Sequence, residues 1–524
     1  MLDPAALQVL IAHLSGIAEE MGAVLRRAAY SPNIKERADC SAAVFDASGA
    51  LLAQAEHIPV HLGSMPASVA SVIAAFGEQL KPGEQAVVND PYDGGTHLND
   101  ITVVAPCWVE GRLVGWVANR AHHADVGGDA PGSMPADATH IDQEGLRLPP
   151  TRLTPAVRAQ VLAASRTPNE RAGDLDAQVG ANVVGIRRLA ERAESAFDEV
   201  LNHGERRARA ALAGLPAGEW TAEGRLDSFG PAPHQQHPVR IVARVRVGDG
   251  RIVVDLTDSD DQVIGNVNAV RAVTVSSVLF AFKAVADPGL PSNAGVDRVV
   301  TVVTRPGSVV DALHPSAVGA GNVEVSQRVA EVVAQALAKA LPGRVAAASQ
   351  GTMNNVLIGT EGAVDGAGAW VYYETLGGGQ GGRPPGPEPA DVAPRPGMSG
   401  VHTGMTNTLN TPIEAFERSY PMRVRALRLR RGSGGAGAAV GGEGVERELE
   451  LLVDATVSLI TERRQSAPPG SEGGSDGGVG VNQLLPGGHD SEAIDLPDKV
   501  TLSVSAGDVL RIWTPGGGGW GTAD

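Results

Sequence analysis

Apolar residues recur at helical spacing from the start of the chain. Leu7, Leu10, Ile11, Leu14, Ile17, Met21, Val24 and Leu25 fall on one face of a long amphipathic helix. Asp3 before Pro4 offers an N-cap with proline in the first helical position, and Tyr30 and Pro32 end the run. The period then changes from helix to strand. SAAVFDASGALLAQ sets two apolar runs about Asp46-Ala47-Ser48-Gly49, which reads as a β-hairpin. A helix follows Pro66 in ASVASVIAAFG and stops at Gly77. Residues 85–88, 101–108 and 113–119 are strand-like, the last two joined by a turn at Glu110-Gly111.

Residues 168–213 read as mostly helical. GEWTAEGRLD near 218 begins a β-rich stretch that continues in VRIVARVRV and RIVVDLTD, and helices are predicted over 269–286 and 323–341. Past Gly377 come GGGQGGRPPGPEPADVAPRPG, GSGGAGAAVGGEG, PPGSEGGSDGGVG and PGGGGWG. They read as loops and turns of a β-rich lobe, with no fixed period that would mark a solenoid. The expected fold is α+β and multi-lobed, with mixed sheets, packed helices and a glycine-rich C-terminal lobe. The regions expected are 1–215, 216–376 and 377–524.

Composition narrows the function. With 524 residues and 43% hydrophobic content the chain can bury a sizeable core, and aromatics at 3% leave that core aliphatic. A formal charge of −17 argues against a sequence-independent nucleic-acid binder and against docking on anionic membranes. No run of eighteen apolar residues occurs, so no membrane span is expected. The N-terminus lacks a basic leader region and carries Glu19 and Glu20, so a cytoplasmic location is expected. Cys40 and Cys107 are too few for a disulfide framework.

The chemistry gathers between Asn89 and Arg147. His97, Asp100, His122, His123, Asp125, Asp137, His140, Asp142 and Glu144 crowd one glycine- and proline-studded segment. Imidazoles with carboxylates suit Mn²⁺, Fe²⁺ or Zn²⁺; a hydrogen-bonded loop tying strands together is the alternative. The hairpin between Asp100 and His122 can return His122 to His97. His122 and His123 point to opposite sides if extended. His122 is therefore the expected ligand and His123 a contact to substrate or to a ligand, with Asp125 orienting an imidazole. Glu36, Arg37 and Asp39 in SPNIKERADC offer a carboxylate beside a cation, as base, extra ligand or solvated turn. His57 and His61 frame IPVHLGSM and are candidates to line the same cleft.

Nucleotide motifs are missing. None of Lys35, Lys81, Lys283, Lys339 and Lys499 follows a glycine, which excludes a P-loop, and GGGQGG lacks the strand–helix setting of a dinucleotide fingerprint. No GxSxG in the strand–helix setting of a nucleophile elbow occurs, and no HExxH helix.

The chain resembles the hydantoinase B/5-oxoprolinase family. The resemblance rests on SPNIKERADCSAAVFD, HIPVHLGSMP, NDPYDGGTHLNDITVVAP, NRAHHADVGGDAPGSMP, EGLRLPP, RTPNERAGDLDAQVGAN, AVGAGNVEVSQRV, SQGTMNN, YYETLGGGQGGR, HTGMTNTLNTPIEAFERSYP and TPGGGGWG. It implies a B-type subunit of an ATP-dependent cyclic amide hydrolase such as 5-oxoprolinase or N-methylhydantoinase. ATP and Mg²⁺ would be bound by an actin-like A-type partner, in an A₂B₂ assembly. By similarity to acetone carboxylase it implies Mn²⁺ (or Zn²⁺ or Fe²⁺) at His97, Asp100 and His122, with Glu36 as catalytic acid or base. On the same logic, Gly94-Gly95 and Gly127-Gly128 would hold phosphate oxygens of an activated lactam. The alternatives are a ketone carboxylase subunit and a non-catalytic partner subunit. ITERRQSAPPGSEGGSDGGVGVNQLL keeps Glu462, Arg463 and Arg464, but it is smaller and more polar than the corresponding stretch of many relatives.

Overall fold

In the computed structural model, residues 3–55, 58–192, 196–362, 368–386 and 393–523 are described. Asp3 caps the first helix as expected, its side chain accepting from the amides of Ala5 and Ala6 at the start of α1 (Pro4–Ala28). Leu7, Leu10, Leu14, Ile17, Met21 and Leu25 form its buried face. Each such side chain contributes roughly 1.5–3 kcal/mol on burial, so packing holds this helix more than propensity does.

A short helix, α2 (Pro32–Lys35), leads into β1 (Cys40–Asp46), and the hairpin closes with β2 (Leu51–Ala55). After α3 (Met65–Phe76) come β3 (Ala86–Val88), β4 (Asp100–Val109), β5 (Arg112–His122) and β6 (Thr151–Arg152). These strands make one six-stranded sheet in the order β2-β1-β5-β4-β3-β6, antiparallel throughout. One face, with Ala43, Phe45, Val104, Trp116 and Ala118, packs on Met65, Val69 and Val72 of α3. The other face, with Ala42, Val44, Ala105 and Val117, packs on α1 and on Leu189 at the end of a long helix, Pro168–Ala190. The stretch Pro59–Gln79 is by length and composition apolar enough to cross a membrane, contrary to the expectation from the sequence. It is broken into three helical pieces, and the largest, α3, has its buried residues in the core.

Three further sheets follow. A four-stranded one joins Val300–Val303, Arg251–Asp255, Val239–Gly248 and Gly218–Leu226. Another pairs Val371–Thr375, Asn355–Gly359, Ala455–Ile460 and Lys499–Val504. Its strands come from both sides of Gly377, so the change of composition there does not separate two sheets. The last holds five strands between Met422 and Trp513. The glycine runs are not merely turns. Gly517 donates to Gly442 O, Gly435 to Gly517 O, and Gly382 to Gly518 O. A Cβ on Gly441 would sit 1.9 Å from Gly517 O, so these segments pack backbone against backbone and tolerate no side chain.

A buried charge cluster ties the sheets together. Lys499 Nζ lies 2.5 Å from Glu462 and 2.8 Å from Asp498, all three with fully buried side chains or nearly so. Glu462 also accepts the amide of Asp227, and Asp498 accepts the hydroxyl of Ser228, both just past the end of Gly218–Leu226. Removing one charge from such a cluster leaves the others uncompensated, at a cost of about 3–5 kcal/mol. Lys499→Met is therefore expected to lower the midpoint of chemical denaturation clearly, whereas Lys81→Met, at the surface, is expected to leave it within experimental scatter.

Candidate metal centre

Asp100 opens β4 and His122 closes β5, and the two are directly opposite in the antiparallel register. On the other side of β5, β1 begins with Cys40 opposite Ala121, and the preceding carbonyl, of Asp39, accepts the His122 amide at 3.0 Å. His97 sits one turn ahead of β4, its carbonyl accepting from the Asp100 amide. Three adjacent strands thus bring His97, Asp100, His122 and Asp39 to the same end of the sheet. Gly94 and Gly95 shape the approach. Gly94 has φ +94°, and a Cβ on Gly95 would lie 2.4 Å from Asn89 O.

His97 Nε2 is 3.0 Å and His122 Nδ1 3.2 Å from the same oxygen, Asp100 Oδ1. One ligand atom from each residue lies within 4.8 Å of the others. The second oxygen, Asp100 Oδ2, is held elsewhere: it accepts from Thr96 Oγ1 at 2.7 Å and faces His61 Nε2 at 3.4 Å. Both ring nitrogens of His97, and Nε2 of His122, are buried without a hydrogen-bond partner. The close His97–Asp100 approach therefore lacks hydrogen-bond geometry, although buried polar groups are normally paired. Two imidazoles that converge on one carboxylate oxygen and keep three ring nitrogens without a partner fit a divalent cation of borderline character.

Electrostatics favour the same occupant. Burial pushes the His122 imidazole down to about 3, so it is neutral; with Nδ1 hydrogen-bonded to Asp100 Oδ1, Nε2 carries the free lone pair. Burial alone would raise Asp100, but His97 and hydrogen bonds from His122 and His61 outweigh it and hold the carboxyl well below its usual range. His122 is fixed from behind, its ring stacked on Tyr373 with centroids 4.4 Å apart. Tyr373 donates in turn to Asn355 Oδ1 at 3.0 Å. The centre opens on a cavity of about 20 Å³, lined by Asp39, His61, Asn322, Tyr373 and the hydroxyl-bearing Thr375, Thr406 and Thr408 among others. That is room for a water or an ion.

The other residues singled out from sequence have different places. His123 points to the opposite face, where Nε2 meets Gln178 Oε1 at 2.9 Å. Asp125 does not orient an imidazole; its carboxylate accepts from the amides of Gly127, Gly132 and Arg166 and pairs with the Arg166 guanidinium. The amides of Gly95 and Gly127 are spent on Asp90 O and Asp125 Oδ1. Gly94 and Gly128 accept through their carbonyls from Ser68 and Arg166. None of the four glycines lines the cavity, so the expected phosphate cradle is not formed there. Glu36 is also displaced. It caps α2, half-buried, and does not line the cavity. Two residues on, Ala38 takes φ +58°, and Asp39 is the carboxylate that lines it. Burial, partly offset by Arg37, pushes Asp39 up to about 7.

His61 reaches the centre, while His57 lies outside the described residues. His140 and Asp142 pair with each other in a partly exposed position, Asp137 is exposed, and Glu144 accepts from the amides of Val318 and Gly319. Asn322, Tyr373, Thr375, Thr406 and Thr408 were not singled out from sequence. Their only sequence signal is that AVGAGNVEVSQRV, YYETLGGGQGGR and HTGMTNTLNTP contain them.

Elemental analysis after dialysis against Mn²⁺ provides a direct check. His97→Ala and Asp100→Ala are expected to lose the bound cation, and His123→Ala, on the opposite face, is expected to retain it.

The sequence matches the family model described as Hydantoinase B/oxoprolinase over residues 3–523. An uncharacterized protein of Methanocaldococcus jannaschii is 38% identical over 99% of this chain and 91% of its own length. The 5-oxoprolinase 1 of Arabidopsis thaliana is 35% identical over 99% of this chain, which spans 42% of that protein. The B component of a putative D-/L-hydantoinase from a Pseudomonas species is 30% identical over 99% of this chain and 90% of its own length. Among solved structures, the ATP-dependent caprolactamase from Pseudomonas jessenii superposes with a TM-score of 0.88 at 26% identity, covering 100% of this chain and 92% of that one. An acetone carboxylase shares the fold, with a TM-score of 0.87 at 18% identity, over 99% of this chain and 76% of that one. The chain belongs to the hydantoinase B/oxoprolinase family.

Proposed function

We propose that this chain is the B-type component of an ATP-dependent cyclic amide hydrolase. In this reading it opens a lactam or hydantoin ring after a partner has phosphorylated the carbonyl oxygen. The observation that carries it is the buried His97–Asp100–His122 set with unpartnered imidazole nitrogens. The relatives of the chain include a 5-oxoprolinase, one component of a putative hydantoinase and a caprolactamase. A purely structural partner subunit has no use for imidazole nitrogens buried without partners beside one carboxylate. The hydantoinase relative is one component of a multi-component enzyme, which supports a partner here, an A-type ATPase that supplies the ATP and Mg²⁺ site in an A₂B₂ assembly.

Amide resonance makes a lactam a poor electrophile; phosphorylating its oxygen gives an imidate whose carbon accepts water. A divalent cation held by His97, Asp100 and His122, with Mn²⁺ the favoured ion, would lower the pKa of water at neutral pH. Asp39, at the cavity wall and beside His122, is placed to take the proton of the attacking water, the role that the family resemblance gave to Glu36. The C–N bond breaks, its electron pair and both protons of the water go to nitrogen, and an acyl phosphate remains for a second water to hydrolyse. Tyr373 keeps the His122 ring in orientation, and of the hydrogen-bonded hydroxyls of Thr375 and Thr408, 2.7 Å apart, one keeps its proton to donate to a phosphate oxygen.

The test is product formation by this chain co-purified with its ATPase partner, given ATP, Mg²⁺ and Mn²⁺. The substrates are 5-oxoproline, hydantoins, caprolactam, and acetone with bicarbonate. ATP-dependent ring opening is expected. Bicarbonate-dependent acid formation from the ketone would instead make the protein a carboxylase component. Asp39→Asn is expected to keep the cation and slow ring opening about 10²- to 10⁴-fold, with Glu36→Gln close to wild type. The reverse ranking would return the base to Glu36.

A further inference from the structure

Asn322 stands on a π-helical turn, Gly321–Val325, that leads into the helix Ser326–Ala340. Such turns are rare and cluster at functional sites. This one is firmly seated. Glu144 accepts from the amides of Val318 and Gly319 just ahead of it, Ser326 Oγ donates to Asn322 O at 2.7 Å, and a Cβ on Gly321 would lie 1.9 Å from Asn268 O. The side chain of Asn322 reaches the metal cavity, with Nδ2 3.5 Å from Asp100 Oδ2. Its amide oxygen, Oδ1, is buried and has no hydrogen-bond partner in the protein. Turning the amide over would set that oxygen against the Asp100 carboxylate, so the nitrogen faces Asp100 and the oxygen remains as a rigid, unused acceptor at the cavity.

A buried acceptor left without a donor is costly, and a site built to hydrogen-bond an N–H discriminates strongly against analogues that lack it. We infer that Asn322 Oδ1 receives the ring N–H of the activated cyclic amide, making Asn322 the residue that selects an amide over a ketone. The inference rests on the lactam-hydrolase reading above and requires the cavity, which has room for a water or an ion as it stands, to widen when the ring enters. An O-phosphorylated lactam protonated on nitrogen carries a C=N–H⁺ group, whereas a phosphorylated enol derived from a ketone carries no such donor. The hydrogen bond to Oδ1 favours the protonated, more electrophilic imidate. Water oxygen bonds to carbon, the C–N bond breaks with its electron pair going to nitrogen, and nitrogen takes both protons of the water, the first through Asp39 and the second as the new hydroxyl becomes the carbonyl. The protonated imidate and one water thus yield an acyl phosphate and an ammonium group.

The test uses the complete two-component enzyme and reads ring opening per ATP consumed, for caprolactam and for N-methylcaprolactam, with cation content measured alongside. Asn322→Ala, with Asn322→Ser as a second variant should the first not fold, is expected to retain the cation. Its ring opening of caprolactam should fall roughly 10- to 100-fold, while N-methylcaprolactam, which has no N–H to lose, should be opened as by the wild type. Equal losses on both substrates, or no loss on either, would overturn the assignment while leaving the hydrolase reading intact. Loss of the cation would overturn it in favour of a role in holding the metal. Failure of the wild-type enzyme to open any lactam would overturn the hydrolase reading itself, and this inference with it.

Discussion

The pairing register of two strands holds the centre together. Asp100 and His122 face each other because β4 and β5 are in antiparallel register over almost their whole length, Ile101 opposite Ala121 and Thr102 opposite Arg120. A slip of one residue would turn every side chain of one strand to the other face of the sheet, placing His123 where His122 stands. The register is fixed from both sides. Arg120, fully buried, reaches Thr102 Oγ1 at 2.8 Å and the hydroxyls of Ser64 and Ser68 beneath α3. On the opposite face Gln178 and Asn182 donate to the carbonyls of Ile101 and Val103. These buried polar contacts would be broken by a slip, so they specify position as well as stabilise it.

The remaining parts of the chain act on this sheet end from outside. The π turn brings Asn322 to Asp100, and the strand Val371–Thr375 brings Tyr373 against His122 and Thr375 beside Arg37. Both are anchored in the buried network that includes Glu324, whose Oε1 accepts from Thr352, Met353 and Asn355, and Asn355 in turn holds the Tyr373 hydroxyl. The glycine-rich C-terminal segments, whose described residues do not line the cavity, pack backbone on backbone. Their composition reflects spacing and not chemistry.

Much of this was legible in the sequence where a local period carried it. The first helix and its cap, the hairpin at Asp46–Gly49, α3, and the strands flanking residues 110–111 are where apolar spacing and turn residues predict them. So is the division of His122 and His123 between opposite faces, which follows from strand alternation alone. What escaped depends on three-dimensional proximity or on one unusual backbone angle. Glu36 and Asp39 are equivalent on paper, and only the positive φ at Ala38 decides which carboxylate reaches the sheet end. The glycine pairs looked like free amide donors, yet the amides of Gly95 and Gly127 are engaged by Asp90 and Asp125, and none of the four glycines lines the cavity. Asn322 and Tyr373 lie more than two hundred residues along the chain from His97, and no spacing rule connects them.

The most direct measurement is crystallographic: anomalous diffraction at the manganese edge from crystals of this chain grown with Mn²⁺. One strong anomalous peak bounded by His97, Asp100 Oδ1 and His122, and absent from Asp100→Ala crystals, is the expected result. A manganese peak elsewhere with this site bare, or none at all at saturating Mn²⁺, would contradict a metal centre at this end of the sheet.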